Sequence, residues 1–229
     1  MAIKEIDPKT LLGDNPAIKE LLKIGVHSHQ QGKIQQASDA YIRALSIDPD
    51  HPDTNHLLGV LNNQIGNPKT AILLIGKAIA QKPTVDKFHN NLGLAYKLEH
   101  RITEATASFA KAIELNPKYE MAYLNLGQML MENQHFDEAI KQYHSALQLT
   151  SNKPGILLKI AALYVEQNVL SLALKTTEDL ISTLTPHYQE ELNNNIGKLE
   201  STITEVKQLF KIGLIFKRFS NHYYAAICM

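Results

Sequence analysis

Small and apolar positions return along the chain at one fixed interval. Ala37, Ala71, Ala105, Ala139 and Ala173 follow one another every 34 residues, as do Gly25, Gly59, Gly93 and Gly127, with Ala161 in the next place. Ala44, Ala78, Ala112 and Ala146 form a second small series, and Pro49, Pro83 and Pro117 punctuate it. Between the two alanine series stands one large residue: Tyr41, Ile75, Phe109 and Tyr143. Within an interval the apolar positions step by three and four. Leu92 and Tyr96 are four apart, and Ala105, Phe109, Ala112 and Ile113 follow i, i+4, i+7, i+8. These are the stripes of two amphipathic helices. The turn between them falls near His100, where the first two units have Gly32 and Gly66, residues suited to ending a helix at positive φ. Proline disfavours helix in the residue before it, so Asp48, Lys82 and Asn116 are expected to be extended. Glycine and alanine on facing positions let the two helices of a hairpin approach closely. Leu58, Leu92 and Leu126 are expected to fill the hairpin core, and the Tyr41 to Tyr143 series to bridge to it from the second helix.

On these residues the sequence resembles the tetratricopeptide repeat family, whose 34-residue unit runs large, leucine, glycine, tyrosine, alanine, aromatic, alanine, proline. The third unit supplies Leu92, Gly93, Tyr96, Ala105, Phe109, Ala112 and Pro117, and the fourth Tyr123, Leu126, Gly127, Ala139, Tyr143 and Ala146. The chain has no tryptophan, Asn55 and His89 hold a place that is usually large, and Ser151 replaces the fourth proline. The resemblance implies an all-α fold, a right-handed α-solenoid of about five helix hairpins with a C-terminal capping helix. The units are placed at residues 18–51, 52–85, 86–119 and 120–153, with a degenerate fifth at 154–187. Residues 1–17 form a leader. Tyr188, Leu192, Ile196, Leu199, Ile203 and Val206, three or four apart, predict a cap over 188–208. The tail, 209–229, crowds Phe210, Ile212, Leu214, Ile215, Phe216 and Phe219 with Lys211, Lys217 and Arg218. Three readings of it stand: docking on the last repeat, lying on a membrane surface, or joining copies into a homo-oligomer.

Composition narrows the function. Lys+Arg 23 balances Asp+Glu 23, so nucleic-acid binding through a pervasive positive field is not expected. One cysteine, Cys228, permits neither an internal disulfide nor a multi-cysteine zinc site, and fits a reducing compartment. Without a signal-peptide core or about 18 consecutive apolar residues, no transmembrane segment is expected and the chain reads as cytoplasmic. Gly76-Lys77 is not a phosphate loop, and GxGxxG, GxSxG and HExxH are absent, so the chain reads as a non-enzyme without a cofactor. His27 and His29, two apart on a helix, diverge and make a poor metal site.

In the resembled family the first helix of each unit lines a concave surface that binds peptides or protein segments. The resemblance therefore implies a groove made of Lys23, His56, Asn63, Lys87, Asn90, Asn91, Leu94, Asn125, Gln128 and Lys159, with Val26 and Val60 beside them. Asn91 and Asn125 hold the same place in successive units. Their carboxamides can pair with a bound backbone regardless of its sequence, an arrangement similar to the asparagine ladder of O-GlcNAc transferases. A lysine and asparagine clamp for an acidic chaperone tail is not matched, because Leu22, Val26 and Leu57 fill its places. Three functions are expected: an adaptor that binds a partner segment, the repeat region of a larger transferase such as a glycosyltransferase or sulfotransferase, or an assembly factor that self-associates through the tail.

Overall fold

The structure, a computed structural model, describes residues 15–150 and 153–182. The leader up to residue 14, Ser151, the cap at 188–208 and the tail at 209–229 lie outside them. Among the described residues there are ten α-helices and no strand. They fall into two compact units that meet between Met129 and Leu130, inside the seventh helix.

The first unit contains three hairpins: α1 (Pro16–Gln30) with α2 (Ile34–Ile47), α3 (Pro52–Gln64) with α4 (Pro68–Gln81), and α5 (Asp86–Leu98) with α6 (Ile102–Leu115). Most of α7 (Glu120–Glu132) also belongs to it. Here α2 packs on α3 and α4 on α5, while α1 meets α3 and α3 meets α5, so first helices form one layer and second helices the other. The second unit holds α8 (Phe136–Leu149), α9 (Lys153–Glu166) and α10 (Leu170–Ser182), with α9 packed on both neighbours.

Local signals set the helix ends. Asn15 caps α1 by accepting from the Ala17 N–H at 2.9 Å, and proline opens α1, α3 and α4, where its missing N–H costs nothing. His51 serves as an unusual cap for α3, its Nδ1 accepting from the Thr54 N–H at 3.2 Å. Each hairpin turns through one left-handed residue: Gly32 (φ 73°), Gly66 (81°), His100 (56°), Gln134 (63°) and Asn168 (58°). The expected turn at His100 is present, reached without glycine. Asp48 and Asn116 are extended, with φ/ψ of −139°/98° and −141°/90°, whereas Lys82, at −131°/77°, leaves the helix but stops short of the extended region.

The spacing of the hairpins follows from the glycines. A Cβ on Gly59 would stand 2.6 Å from Ile75 Cγ1, and one on Gly93 would stand 2.6 Å from Phe109 Cε1. Tyr41 lies against Gly25 in the same way. The large residue of each second helix therefore rests on the bare backbone of the first. Tyr41, Ile75 and Phe109 are fully buried, each contributing roughly 1.5–3 kcal/mol through the apolar surface it removes from water. Leu58 and Leu126 are buried as expected, whereas Leu92 is only half-buried.

The structure explains why Asn55 and His89 stand where a large residue is usual. Asn55 Nδ2 donates to the Pro49 carbonyl at 2.9 Å, His89 Nε2 to that of Pro83 at 2.8 Å, and Tyr123 Oη to that of Pro117 at 3.3 Å. Three different side chains make the same tie, each to the proline six residues back, and each anchors the link between hairpins.

Candidate functional site

The first-helix face of residues 15–129 carries a row of polar side chains with a constant register. His29 on α1 donates from Nε2 to Gln64 Oε1 on α3 at 2.8 Å. Asn91 on α5 donates from Nδ2 to His56 Nε2 on α3 at 2.8 Å, and Asn125 on α7 donates from Nδ2 to Asn90 Oδ1 on α5 at 2.8 Å. Every partner is 35 residues away. In the same register one unit earlier stand Leu22 and Leu57, both in one apolar core cluster. At this slot the seam is therefore apolar between α1 and α3, which are joined instead by the His29 to Gln64 bond one helical stretch further along, and hydrogen-bonded from α3 to α5.

Within the seam the four polar groups join end to end. Asn90 Nδ2 also approaches Asn91 Oδ1 at 3.4 Å, linking the two cross-helix bonds into one chain. His56 lies against the Phe88 ring, with centroids 4.4 Å apart. Burial, with the Lys87 charge beside it, lowers the His56 pKa from 6.5 to about 3. The ring is thus neutral, and its bare Nε2 is free to accept from Asn91. Burial likewise lowers the His29 pKa, against the pull of its bond to Gln64.

The expected groove residues separate into two sets. His56, Asn90 and Asn91 are buried, at 5%, 3% and 6% exposure, and are occupied by the chain of bonds between helices. Val26 and Val60 are buried as well, so neither offers an apolar contact surface. Lys23 is exposed and forms a loose 3.4 Å pair with Glu20. Asn63, Lys87, Leu94, Asn125 and Gln128 are half-buried. Asn63 keeps an enclosed Oδ1 that no donor among the described residues reaches. Lys159, in the second unit, holds its ammonium 5.9 Å from the centre of the Tyr143 ring. His29 and Gln64 are the members of the row that the sequence reading did not place on this face. They are marked by the same 35-residue separation as the asparagine pairs.

Among the described residues no group of three or more His, Cys, Asp or Glu side chains could hold a metal ion, and no helix is long and apolar enough to cross a membrane. His27 turns to Gln31 at 2.8 Å while His29 reaches Gln64, so the two histidines diverge.

The fold has many solved likenesses. A crystal structure of MamA protein superposes with a TM-score of 0.65 at 23% identity, covering 82% of this chain and 98% of that one. The pilF protein of Pseudomonas aeruginosa gives 0.69 at 21% identity, covering 90% and 92%. A mutant O-GlcNAc transferase of Thermobaculum terrenum gives 0.54 at 27% identity over 58% of this chain and 26% of the enzyme. No curated protein matches the sequence. Repeat profiles do match: one described as TPR repeat over residues 28–66 and 127–168, and two described as tetratricopeptide repeat over 86–119 and 108–141. With paired helices, glycine contacts and hinge residues recurring in that register, the chain belongs to the tetratricopeptide repeat family.

Proposed function

We propose that the chain is a non-catalytic scaffold that binds an extended segment of a partner protein along the first-helix face of residues 15–129. Membership in a repeat family of generally non-catalytic interaction scaffolds supports this reading. The observation that carries it is the set of bonds His56 to Asn91 and Asn90 to Asn125, which fix three successive first helices in register. A face held rigid in advance loses less conformational freedom on binding. On that frame Lys23 supplies a charge, Leu94 an apolar contact, and the half-buried Asn125 a carboxamide oxygen suited to a backbone N–H. Extended segments are held through such mixtures of backbone capture and side-chain pockets.

A photocrosslinking residue tests the face. Placed at Leu94, it should capture the partner that co-purifies with the chain. Placed at Leu73, 71% exposed on the second helix α4, it should not. Equal capture from both positions refutes the assignment. Leu94→Arg should weaken the captured complex at least tenfold, about 1.4 kcal/mol.

A second reading, the substrate-presenting repeat region of a larger transferase, is favoured by the likeness to the Thermobaculum terrenum O-GlcNAc transferase. An open reading frame for a catalytic domain beyond Met229 in the genomic sequence would support it.

A further inference from the structure

The chain of side-chain bonds on the first-helix face runs in one direction. Asn125 donates to Asn90 (2.8 Å), Asn90 to Asn91 (3.4 Å), and Asn91 to His56 Nε2 (2.8 Å). A carboxamide presents an acceptor on one side and N–H donors on the other, and a neutral imidazole has one N–H and one bare nitrogen. Because Asn91 donates to Nε2, the His56 ring carries its proton on Nδ1.

The same four groups can also close in reverse. His56 would then donate from Nε2 to Asn91 Oδ1, Asn91 to Asn90 Oδ1, and Asn90 to Asn125 Oδ1, again with three bonds. One member cannot turn alone. Reversing Asn91 or Asn90 alone would set oxygen against oxygen, or N–H against N–H, where both side chains are buried, and reversing the half-buried Asn125 alone would set its oxygen against Asn90 Oδ1. The arrangement therefore has two concerted states and disfavours anything between them.

We propose that His56, Asn91, Asn90 and Asn125 form a bistable relay that couples the tautomer of His56 to the group, oxygen or N–H, that Asn125 leaves outside the chain. In the observed state that group is the Asn125 oxygen, which suits an N–H donor. In the reversed state it is the Asn125 N–H, which suits a carbonyl. This consequence for a bound segment rests on the proposed binding face, whereas the coupling itself is a property of the free chain. The switch involves no change of charge, since burial and the neighbouring Lys87 ammonium on α5 keep His56 neutral down to about pH 3.

The test is ¹⁵N NMR of the intact protein labelled at histidine, at pH 7 and with no partner present. In the unaltered chain the bare-nitrogen resonance of His56 should belong to Nε2. Asn125→Asp replaces the amide with a carboxylate that only accepts, so Asn90 must donate to it and the chain reverses. The bare-nitrogen resonance should then pass to Nδ1. Adding Asn90→Leu to Asn125→Asp cuts the chain, and the double variant should then show the same tautomer as Asn90→Leu alone. Asn125→Leu, which neither donates nor accepts, removes the forced reversal and serves as the reference if the double variant does not fold. An unchanged tautomer in folded Asn125→Asp overturns the proposal. So does a tautomer that differs between the double variant and Asn90→Leu alone, because the carboxylate would then act through its field. Binding is not needed for this measurement, so its failure leaves the scaffold reading standing, and failure of the crosslinking test leaves the relay standing.

Discussion

Gly93→Ala is the sharpest test of how the hairpins pack. The added methyl would stand 2.6, 2.7 and 3.0 Å from Phe109 Cε1, Cδ1 and Cζ, well inside ordinary carbon–carbon contact. Phe109 is fully buried, so its ring can move only by displacing its own neighbours. Overpacking of this kind costs about 1–3 kcal/mol, against which alanine returns up to about 1 kcal/mol through its better helix propensity. A net loss of about 1 kcal/mol or more is expected. Gly76→Ala on α4 is the matched control, because its methyl would meet nothing within 4 Å and the site is exposed. Only the propensity gain remains there, stabilising by about 0.5–1 kcal/mol. The two variants should differ by about 2 kcal/mol, roughly 4–8 °C in melting midpoint for a chain of this size. Urea and thermal unfolding followed by circular dichroism read both. In a Phe109→Leu background the Gly93→Ala penalty should shrink or change sign, since the obstructing ring is gone. Were Gly93→Ala to raise the midpoint as Gly76→Ala does, the argument that the ring seats on bare backbone would fall.

Acid should weaken the first unit through His56. The unfolded ring takes up a proton near pH 6.5, while the folded ring resists until about 3, so stability is fully present above 6.5 and declines as pH falls below it. From pH 7 to 5.5 the loss should be about 1 kcal/mol in urea titrations, with His29 adding in the same direction, and His56→Gln should flatten the slope. An equal slope in His56→Gln would show that other groups carry it. His100→Gly should stabilise by up to about 1 kcal/mol, because a φ of 56° strains a residue with a Cβ; an unchanged or lower midpoint would contradict this.

The hairpins were readable because their determinants are steric and recur at the same period as the units. Gly93 beneath Phe109, and the hinge at His100, can be found by aligning the chain with itself at 34 residues. The condition of the groove side chains could not be found that way. Such an alignment places Leu57 over Asn91, but the partner of Asn91 is His56, one position to the side. Contacts between neighbouring first helices fall at 35, so each slot pairs with the adjacent slot of the next unit. This offset hid the burial of Asn90 and Asn91 and made them read as open groove. Val26 and Val60 were misread for a related reason, since helical spacing assigns a residue to a face but does not reveal how closely the next helix covers it.

The proline ties bear on how distant relatives of this chain should be recognised. Asn55, His89 and Tyr123 share neither size nor aromaticity, yet each anchors the carbonyl that precedes its hairpin. What the three repeats share at this slot is a reach and a hydrogen to give. A search that rewards a ring there would discard the repeat that carries Asn55, while one that rewards any donor able to span six residues backward would keep all three.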